Sequence, residues 1–394
     1  MKRYWPRYDR LGLGNEIPPM DYLEWYIPKL IEQREHNLSH SGMQYDWDID
    51  EIIDSSVKEL TNPIMDSTQD PRNILSEIYD VPIQNLLLCH GATQAINIAI
   101  IAAKTRYPNI GKVTIVAESP TYAPMPQSSL ILDCNVRRVD RLEPKSGFGP
   151  WEIDREAWRQ ELSESQILML SPILNPSGWN LSISDRDWIV DYCINNNITI
   201  ISDEVYLDAY KDSPDYMPFY KLHSSFISIN SLTKVYSMGQ LRFGWLMGDD
   251  EFIEQAKRIF MTFSGIMGSP SVRIGTEILK HLSVVDSAIQ DYREKNLPYL
   301  REMFQRLAIP WNEPPLGVFS CFKLPLGIDA VTFVDEECKE HDVLAVPCSM
   351  FQEDLNNWLR IAWSIEPKKF KRACDALEKS LKTAMSKKQV NKSD

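Results

Sequence analysis

Residues 230–245 read NSLTKVYSMGQLRFGW and follow FISI, an apolar run rich in β-branched residues. Lys234 therefore comes directly after what reads as a buried strand, and Arg242 follows eight positions later. A lysine there either reaches water from a loop or is a reactive amine held in a pocket. Similar questions arise after four other apolar runs. NLLLC (85–89) is followed by HGATQAI, in which a glycine precedes Ala92 and Thr93 at the start of a helical pattern. Free amides at a helix N-terminus, with a hydroxyl beside them, suit a phosphate. KVTIVAE (112–118) leads into SPTYAPM, with Tyr122 on a proline-kinked loop where it can stack on a planar ligand. QILMLS (166–171) leads into PILNPSG, with Asn175 before a proline, and ITIIS (198–202) into DEVYLDAY, with Asp203 and Tyr206 three apart.

Each of these has a bland reading: a turn glycine, a packing tyrosine, an N-P turn, a helix-capping carboxylate. In an open α/β sheet, however, ligands bind beyond the carboxyl ends of the strands. Taken together, the five strand ends offer a phosphate cradle, a flat aromatic, an amide donor, a carboxylate with a phenol, and a lysine with an arginine that returns at the next strand. The ligand that uses all of them is planar and phosphorylated, with a protonatable ring nitrogen, a phenolic oxygen and an aldehyde. Pyridoxal 5′-phosphate (PLP) has that chemistry, and its protein signature is a lysine Schiff base with an acidic partner for the ring nitrogen.

Such a set needs a scaffold that brings strand ends to one rim. The strand runs, including FGWLMG (243–248), alternate with helical patterns such as ATQAINIAIIAAKTR (92–106) and SDRDWIVDYCINNN (184–197). In the second, Ser184 is the expected N-cap and Asp187 the third helical residue. This alternation implies an α/β fold, a mostly parallel sheet with helices on both faces. Beyond about residue 270 a charged helical stretch (271–308) leads into GVFSCFKLP (317–325), VLAVPCS (343–349) and WLRIAWS (358–364). That texture is of a smaller α+β domain completed by the N-terminal segment. The expected division is 45–270 for the large domain and 1–44 plus 271–394 for the small one.

Composition narrows the function class. The chain has 394 residues, 43% of them hydrophobic and 25% charged, enough for a substantial globular core. A formal charge of −13 argues against a nucleic-acid surface or an anionic membrane face. The longest apolar stretches, such as AINIAIIAA (95–103), fall well short of the ~20 residues of a membrane helix. The N-terminal sequence has no apolar signal core, and the seven cysteines are scattered with no C-x-x-C spacing, which suits a reducing cytoplasm. No His/Cys/carboxylate cluster suggests a metal, and His90 beside the phosphate turn reads as structural.

The motifs GATQA (91–95), PTY (120–122), NPSG (175–178), DEVY (203–206), SLTK (231–234) with Arg242, and the late WLRIAWS resemble those of the fold-type-I PLP-dependent aminotransferases, class I/II, the aspartate-aminotransferase-like group. Order and spacing match over about residues 85–365. The resemblance implies a PLP-dependent transferase fold, with a mixed, mostly parallel seven-stranded sheet between helices and a smaller α+β domain. It implies catalytic roles for Lys234, Asp203 and Tyr206: Lys234 forms the internal aldimine and then moves the proton, while Asp203 keeps the ring nitrogen protonated. Asn175 and Tyr206 hydrogen-bond the ring oxygen, Tyr122 stacks on the ring, and Ala92, Thr93, Ser231 and Arg242 hold the phosphate. Arg360 clamps the substrate carboxylate, beside the small Ala362 and Ser364; its bland alternative is an edge-strand arginine reaching solvent. GNEIPPM (14–20) echoes the substrate-covering loop, making Gly14 a candidate substrate contact.

The sequence departs from the family pattern in two places. Gly239 lies three residues before the phosphate arginine where the family has two, and stretch 40–80 lacks the usual tyrosine-plus-glycine pattern for a partner-subunit phosphate contact, leaving Tyr45 as the candidate. The activity so implied is transfer of an amino group from an amino acid to a 2-oxo acid by a ping-pong route, in a cytoplasmic homodimer with no nucleic-acid or membrane partner. A PLP-dependent lyase, synthase or cyclase on the same fold is the alternative, and a non-catalytic regulatory module a remote one.

Overall fold

The computed structural model describes residues 20–52, 70–211, 213, 216–315 and 317–390. Eight strands form its main sheet: β1 (Leu86–Cys89), β2 (Thr114–Ser119), β3 (Asn135–Leu142), β4 (Glu152–Ile153), β5 (Ile167–Leu170), β6 (Thr199–Asp203), β7 (Ile227–Ser231) and β8 (Gly244–Met247). Their spatial order is β1-β8-β7-β6-β5-β2-β3-β4. The run β7-β6-β5-β2-β3 is parallel, while β8 is antiparallel to both neighbours and β4 closes the edge antiparallel to β3. The sheet thus has eight strands rather than the seven expected, the addition being the two-residue edge strand β4.

Alternation along the strands assigns each side chain to a face. Ile115, Ala117, Ile167 and Met169 pack against Ile96, Ala99 and Ile100 of helix Gly91–Lys104 and against Phe252 and Phe260 of helix Asp250–Ser264. Val116, Leu168 and Leu170 point the other way, toward Trp158, Ile189 and Cys193 of helices Arg155–Leu162 and Ile183–Asn195. Burial on both faces makes these strands near-continuous apolar runs, each large side chain contributing roughly 1.5–3 kcal/mol.

A second sheet comprises β9 (Phe319–Lys323), β10 (Val346–Pro347) and β11 (Trp358–Ala362), antiparallel in the order β9-β11-β10. Phe322, Leu359 and Ile361 share a core with Leu297, Leu300 and Phe304 of helix Leu282–Arg306 and with Phe370 and Leu377 of helix Pro367–Val390. The charged stretch 271–308 is therefore two helices, Ser269–Leu279 and Leu282–Arg306, broken at Lys280–His281. The N-terminal part joins this second unit. His36–Asn37 pairs in parallel with Val343–Leu344, and the Arg34 guanidinium donates to the carbonyls of Val334 and Val343. From there residues 38–43 cross as a strap: Ala362 N donates to Leu38 O at 2.7 Å, and Met43 N to Lys234 O at 2.8 Å.

Ser184 is not the N-cap of its helix. The helix runs Ile183–Asn195, and Ser182 caps it, accepting from Asp185 N at 3.0 Å while its hydroxyl donates to Asp185 Oδ2 at 2.8 Å. Ser184 instead accepts from Arg155 at the surface. Both serines head an S-x-x-D pattern, and the earlier one wins because Asp185 both donates its N–H to the Ser182 hydroxyl and accepts from it, while Asp187 is occupied by Arg186. Ser182→Ala is accordingly expected to lose about 1 kcal/mol in urea unfolding, and Ser184→Ala a few tenths at most.

Candidate active site

The C-terminal ends of the parallel strands open onto a cleft. Its lining includes Ala92, Thr93, Tyr122, Asn175, Asp203, Tyr206, Ser231, Lys234 and Arg242, nine of the residues singled out from sequence. Arg360 lies just behind, and Gly14 falls outside the described residues. The lining also includes Thr233, which SLTK brings to the same rim, and Tyr22, Ser41, Ser171 and Val205, which were not singled out from sequence.

One end of the cleft is cationic. Helix Gly91–Lys104 begins there with no side-chain cap. Gly91 (φ +78°) lets the Arg242 guanidinium lie against it, since a Cβ would stand 2.5 Å from Nη2. Gly244 completes the stack, its missing Cβ leaving room for the backbone of Gly91 and Ala92. The displaced Gly239 is resolved here. Residues Gly239–Leu241 make a single tight turn, and Arg242 itself takes the left-handed conformation (φ 52°, ψ 46°) while Nη1 donates to Gly239 O at 3.2 Å. Ser231 Oγ accepts from Thr233 N, and the buried Thr233 Oγ1 has no hydrogen-bond partner among the described residues.

At the middle of the cleft stand Asp203, the last residue of β6, and Lys234. Burial pushes the Asp203 carboxyl up to about 6, against a hydrogen bond from Val205 N and the attraction of Lys234. Burial likewise brings the Lys234 amine down to about 8, aided by the positive Arg360 and Arg242 and opposed by Asp203. Lys234 Nζ donates to Ser41 Oγ at 2.7 Å. Tyr122 Oη lies 3.4 Å from Thr93 Oγ1, and the Tyr206 ring meets Phe319 edge-on at 5.0 Å.

Arg360 is a central-strand residue of β11, fully buried, so the edge-strand reading does not hold. It donates to Asn175 Oδ1 (2.8 Å), Ser39 O (3.0 Å) and Tyr22 Oη (3.2 Å), and lies against the rings of Tyr22, Phe319 and Phe351. Among the described residues no carboxylate pairs with it, and its Nε has no partner. A buried guanidinium with no carboxylate partner among the described residues is a strong donor site for a ligand carboxylate.

Behind the cleft, Asp208 is enclosed by three phenols: Tyr79 (2.6 Å), Tyr216 (3.0 Å) and Tyr236 (3.1 Å) all donate to it. Asn230 donates to Tyr79 Oη and accepts from Ser231 N, so one cage ties the Tyr206 turn to the Lys234 loop. Tyr45 does not reach the cleft of its own chain; its ring packs edge-on against Trp47. His90 stacks on Phe260, as a structural residue does.

A family model for aminotransferase class I and II matches residues 58–377. The chain belongs to that family. It is 24% identical over 388 residues to an aspartate aminotransferase of Pyrococcus abyssi, covering 95% of this chain and 92% of that protein. Over 232 residues it is 25% identical to aromatic-amino-acid aminotransferase 2 of Thermococcus litoralis, covering 56% and 58%. Over 275 residues it is 24% identical to the HTH-type transcriptional regulator NorG of Staphylococcus aureus, covering 67% and 59%. The chain thus spans under two thirds of the length of these last two relatives. Solved aminotransferase structures share the fold. One from Streptococcus suis, a PLP-dependent aminotransferase, superposes with a TM-score of 0.81 at 18% identity, covering 93% and 98% of the two chains. The aspartate aminotransferase of Thermotoga maritima gives 0.76 at 17%, covering 96% and 99%.

The two buried charges fix how stability responds to pH. Asp203 has its folded pKa raised, so its contribution is whole below the unfolded value near 3.8 and is lost as pH rises through about 6. Lys234 has its folded pKa depressed, so its contribution is whole above 10.5 and is lost as pH falls through about 8. Both charges weigh on the fold between pH 6 and 8. Asp203→Asn is expected to raise stability at pH 7.5 by on the order of 2 kcal/mol, by roughly half as much at pH 5, and to change it little below pH 3.8, as measured by denaturant unfolding without added ligand.

Proposed function

We propose that this protein is a PLP-dependent aminotransferase that moves an amino group from an amino acid to a 2-oxo acid by a ping-pong route. The observation that carries this reading is the pairing of Lys234 with Asp203 in one cleft, between an open anion cradle and a carboxylate-free Arg360.

The residues present fit the cofactor. Arg242, the uncapped helix start at Ala92 and Thr93, Ser231 and the unpartnered Thr233 hydroxyl would hold the phosphate. Asp203 would pair with the ring nitrogen, Asn175 and Tyr206 would donate to the ring oxygen, and Tyr122 would cover the ring face. When bound, PLP supplies an electrophilic carbon and an electron sink for the substrate Cα. The chain supplies the rest. Arg360 binds the donor's carboxylate and so orients the Cα proton toward Lys234. Lys234 Nζ takes and returns that proton. With its pKa near 8, roughly a quarter of the amine is neutral at pH 7.5, against about one part in a thousand for an unperturbed lysine. Tyr22 and Phe351, stacked over Arg360, keep water from the clamp.

The same reading divides the chain at 45–270 and 1–44 plus 271–394, and makes it a cytoplasmic homodimer. No described helix is long and apolar enough to cross a membrane. Phe263 and Ile266, 71% and 81% exposed beside one another, support a subunit contact. The likeness to the regulator NorG supports a non-catalytic reading less than the retained Lys234, Asp203 and Arg360 support catalysis.

Added PLP is expected to be fixed to Lys234 by borohydride, as read by peptide mass spectrometry, and Lys234→Ala to show no such adduct. With an amino acid alone, one equivalent of 2-oxo acid per site is expected and no ammonia; ammonia release would move the protein to the lyases. Arg360→Gln is expected to raise KM for the amino donor ~100-fold while PLP binding is kept.

A further inference from the structure

Among the described residues, the hydrogen-bond partner of Lys234 Nζ is the Ser41 hydroxyl, at 2.7 Å. Ser41 also lines the cleft. Its backbone is held on both sides. Two residues earlier in the chain, Ser39 O accepts from Arg360. One residue later, Gly42 packs so closely that a Cβ would stand 2.8 Å from Lys234 O. Two residues later, Met43 N donates to that same carbonyl at 2.8 Å. The hydroxyl is thus fixed relative to both the amine and the guanidinium, and the charged groups facing Lys234 are Asp203, Arg242 and Arg360.

We propose that Ser41 is a further catalytic residue, whose hydroxyl oxygen accepts the hydrogen bond of the Lys234 amine whenever that amine carries no covalent partner. The inference rests on the reading of Lys234 given above. No bond to carbon is made or broken by Ser41. One N–H of Lys234 points at its oxygen, and the other positions on the nitrogen face the cleft for proton exchange with substrate. Ser41 keeps its own O–H, which donates to no side chain or carbonyl among the described residues and can turn to water or substrate. The contact does for the released amine what Asp203 does not, since Asp203 is reserved for the ring nitrogen in that reading.

An acceptor on Lys234 Nζ favours the ammonium form, so its removal lowers the amine's pKa. The test uses the protein without PLP. Acetylation of Lys234 by acetic anhydride is followed against pH, by peptide mass spectrometry, in the wild type and in Ser41→Ala, Ser41→Gly and Ser41→Thr. The wild-type midpoint is expected near 8. Ser41→Ala and Ser41→Gly are expected to move it down by roughly one pH unit, and Ser41→Thr, which keeps the hydroxyl, to restore it. With PLP and substrates, Ser41→Ala is expected to lower kcat about tenfold with little change in KM for the amino donor. Two hydroxyl-free variants allow for one that does not fold. Acetylation profiles of Ser41→Ala or Ser41→Gly that superimpose on wild type overturn the proposal, as does a threonine variant that behaves like alanine. Absence of a PLP adduct on wild-type Lys234 would instead overturn the functional reading, and the acetylation midpoints would still decide the Ser41 contact.

Discussion

A guanidinium wholly removed from water, with no carboxylate against it among the described residues, is the constraint around which this molecule is arranged. Desolvation of such an ion costs several kcal/mol, and neutral acceptors return only part of it. Arg360 has Asn175 Oδ1, Ser39 O, Tyr22 Oη and three aromatic faces. Burial works against its charge, and the phenol oxygens of Tyr22 and Tyr206 hold it in place. The remaining field acts on Lys234, where it adds to burial in driving the amine toward neutrality. A residue of the second sheet thereby tunes an amine that follows the first. The strap 38–43 keeps the two in register by touching both.

A supporting layer behind the cleft holds its walls. Glu118, buried at the end of β2, accepts from Ser171 N at 2.5 Å, while Arg141 reaches the carbonyls of Ser171 and Trp179 and faces Glu118 at 3.7 Å. Burial raises the Glu118 carboxyl to about 7, against the pull of Arg141. Together with the phenol cage of Asp208, this fixes the turns that present Asn175, Tyr206 and Lys234. Much of the energetic burden of buried polar groups is thus carried behind the cleft, where Glu118, Arg141 and Asp208 each have at least one partner.

Much of the site was legible because buried parallel strands announce themselves as apolar runs, and the chemistry follows immediately after each run. Lys234, Asp203, Asn175 and Arg242 could be read in that way. Strand β3, NVRRVDRL, could not: its arginines and aspartate obscure the alternation, although Arg141 is one of the buried groups on which the cleft depends. Tyr22 and Ser41 are hidden for a different reason. Their significance lies in contacts across 338 residues for Tyr22 with Arg360 and 193 for Ser41 with Lys234. Nothing local distinguishes them from ordinary surface residues. The displacement of Gly239 has its structural answer in Arg242, which itself adopts the left-handed conformation that closes the turn.

Asn175 has one amide to divide between two neighbours. Its oxygen is committed to Arg360 at 2.8 Å, so its NH2 group is the end left to face the cleft. The amide plane is therefore oriented by the guanidinium rather than by its own loop. The donor that Asn175 presents to the cleft is thus aimed by the same guanidinium that awaits a carboxylate, so one buried cation orients two binding groups.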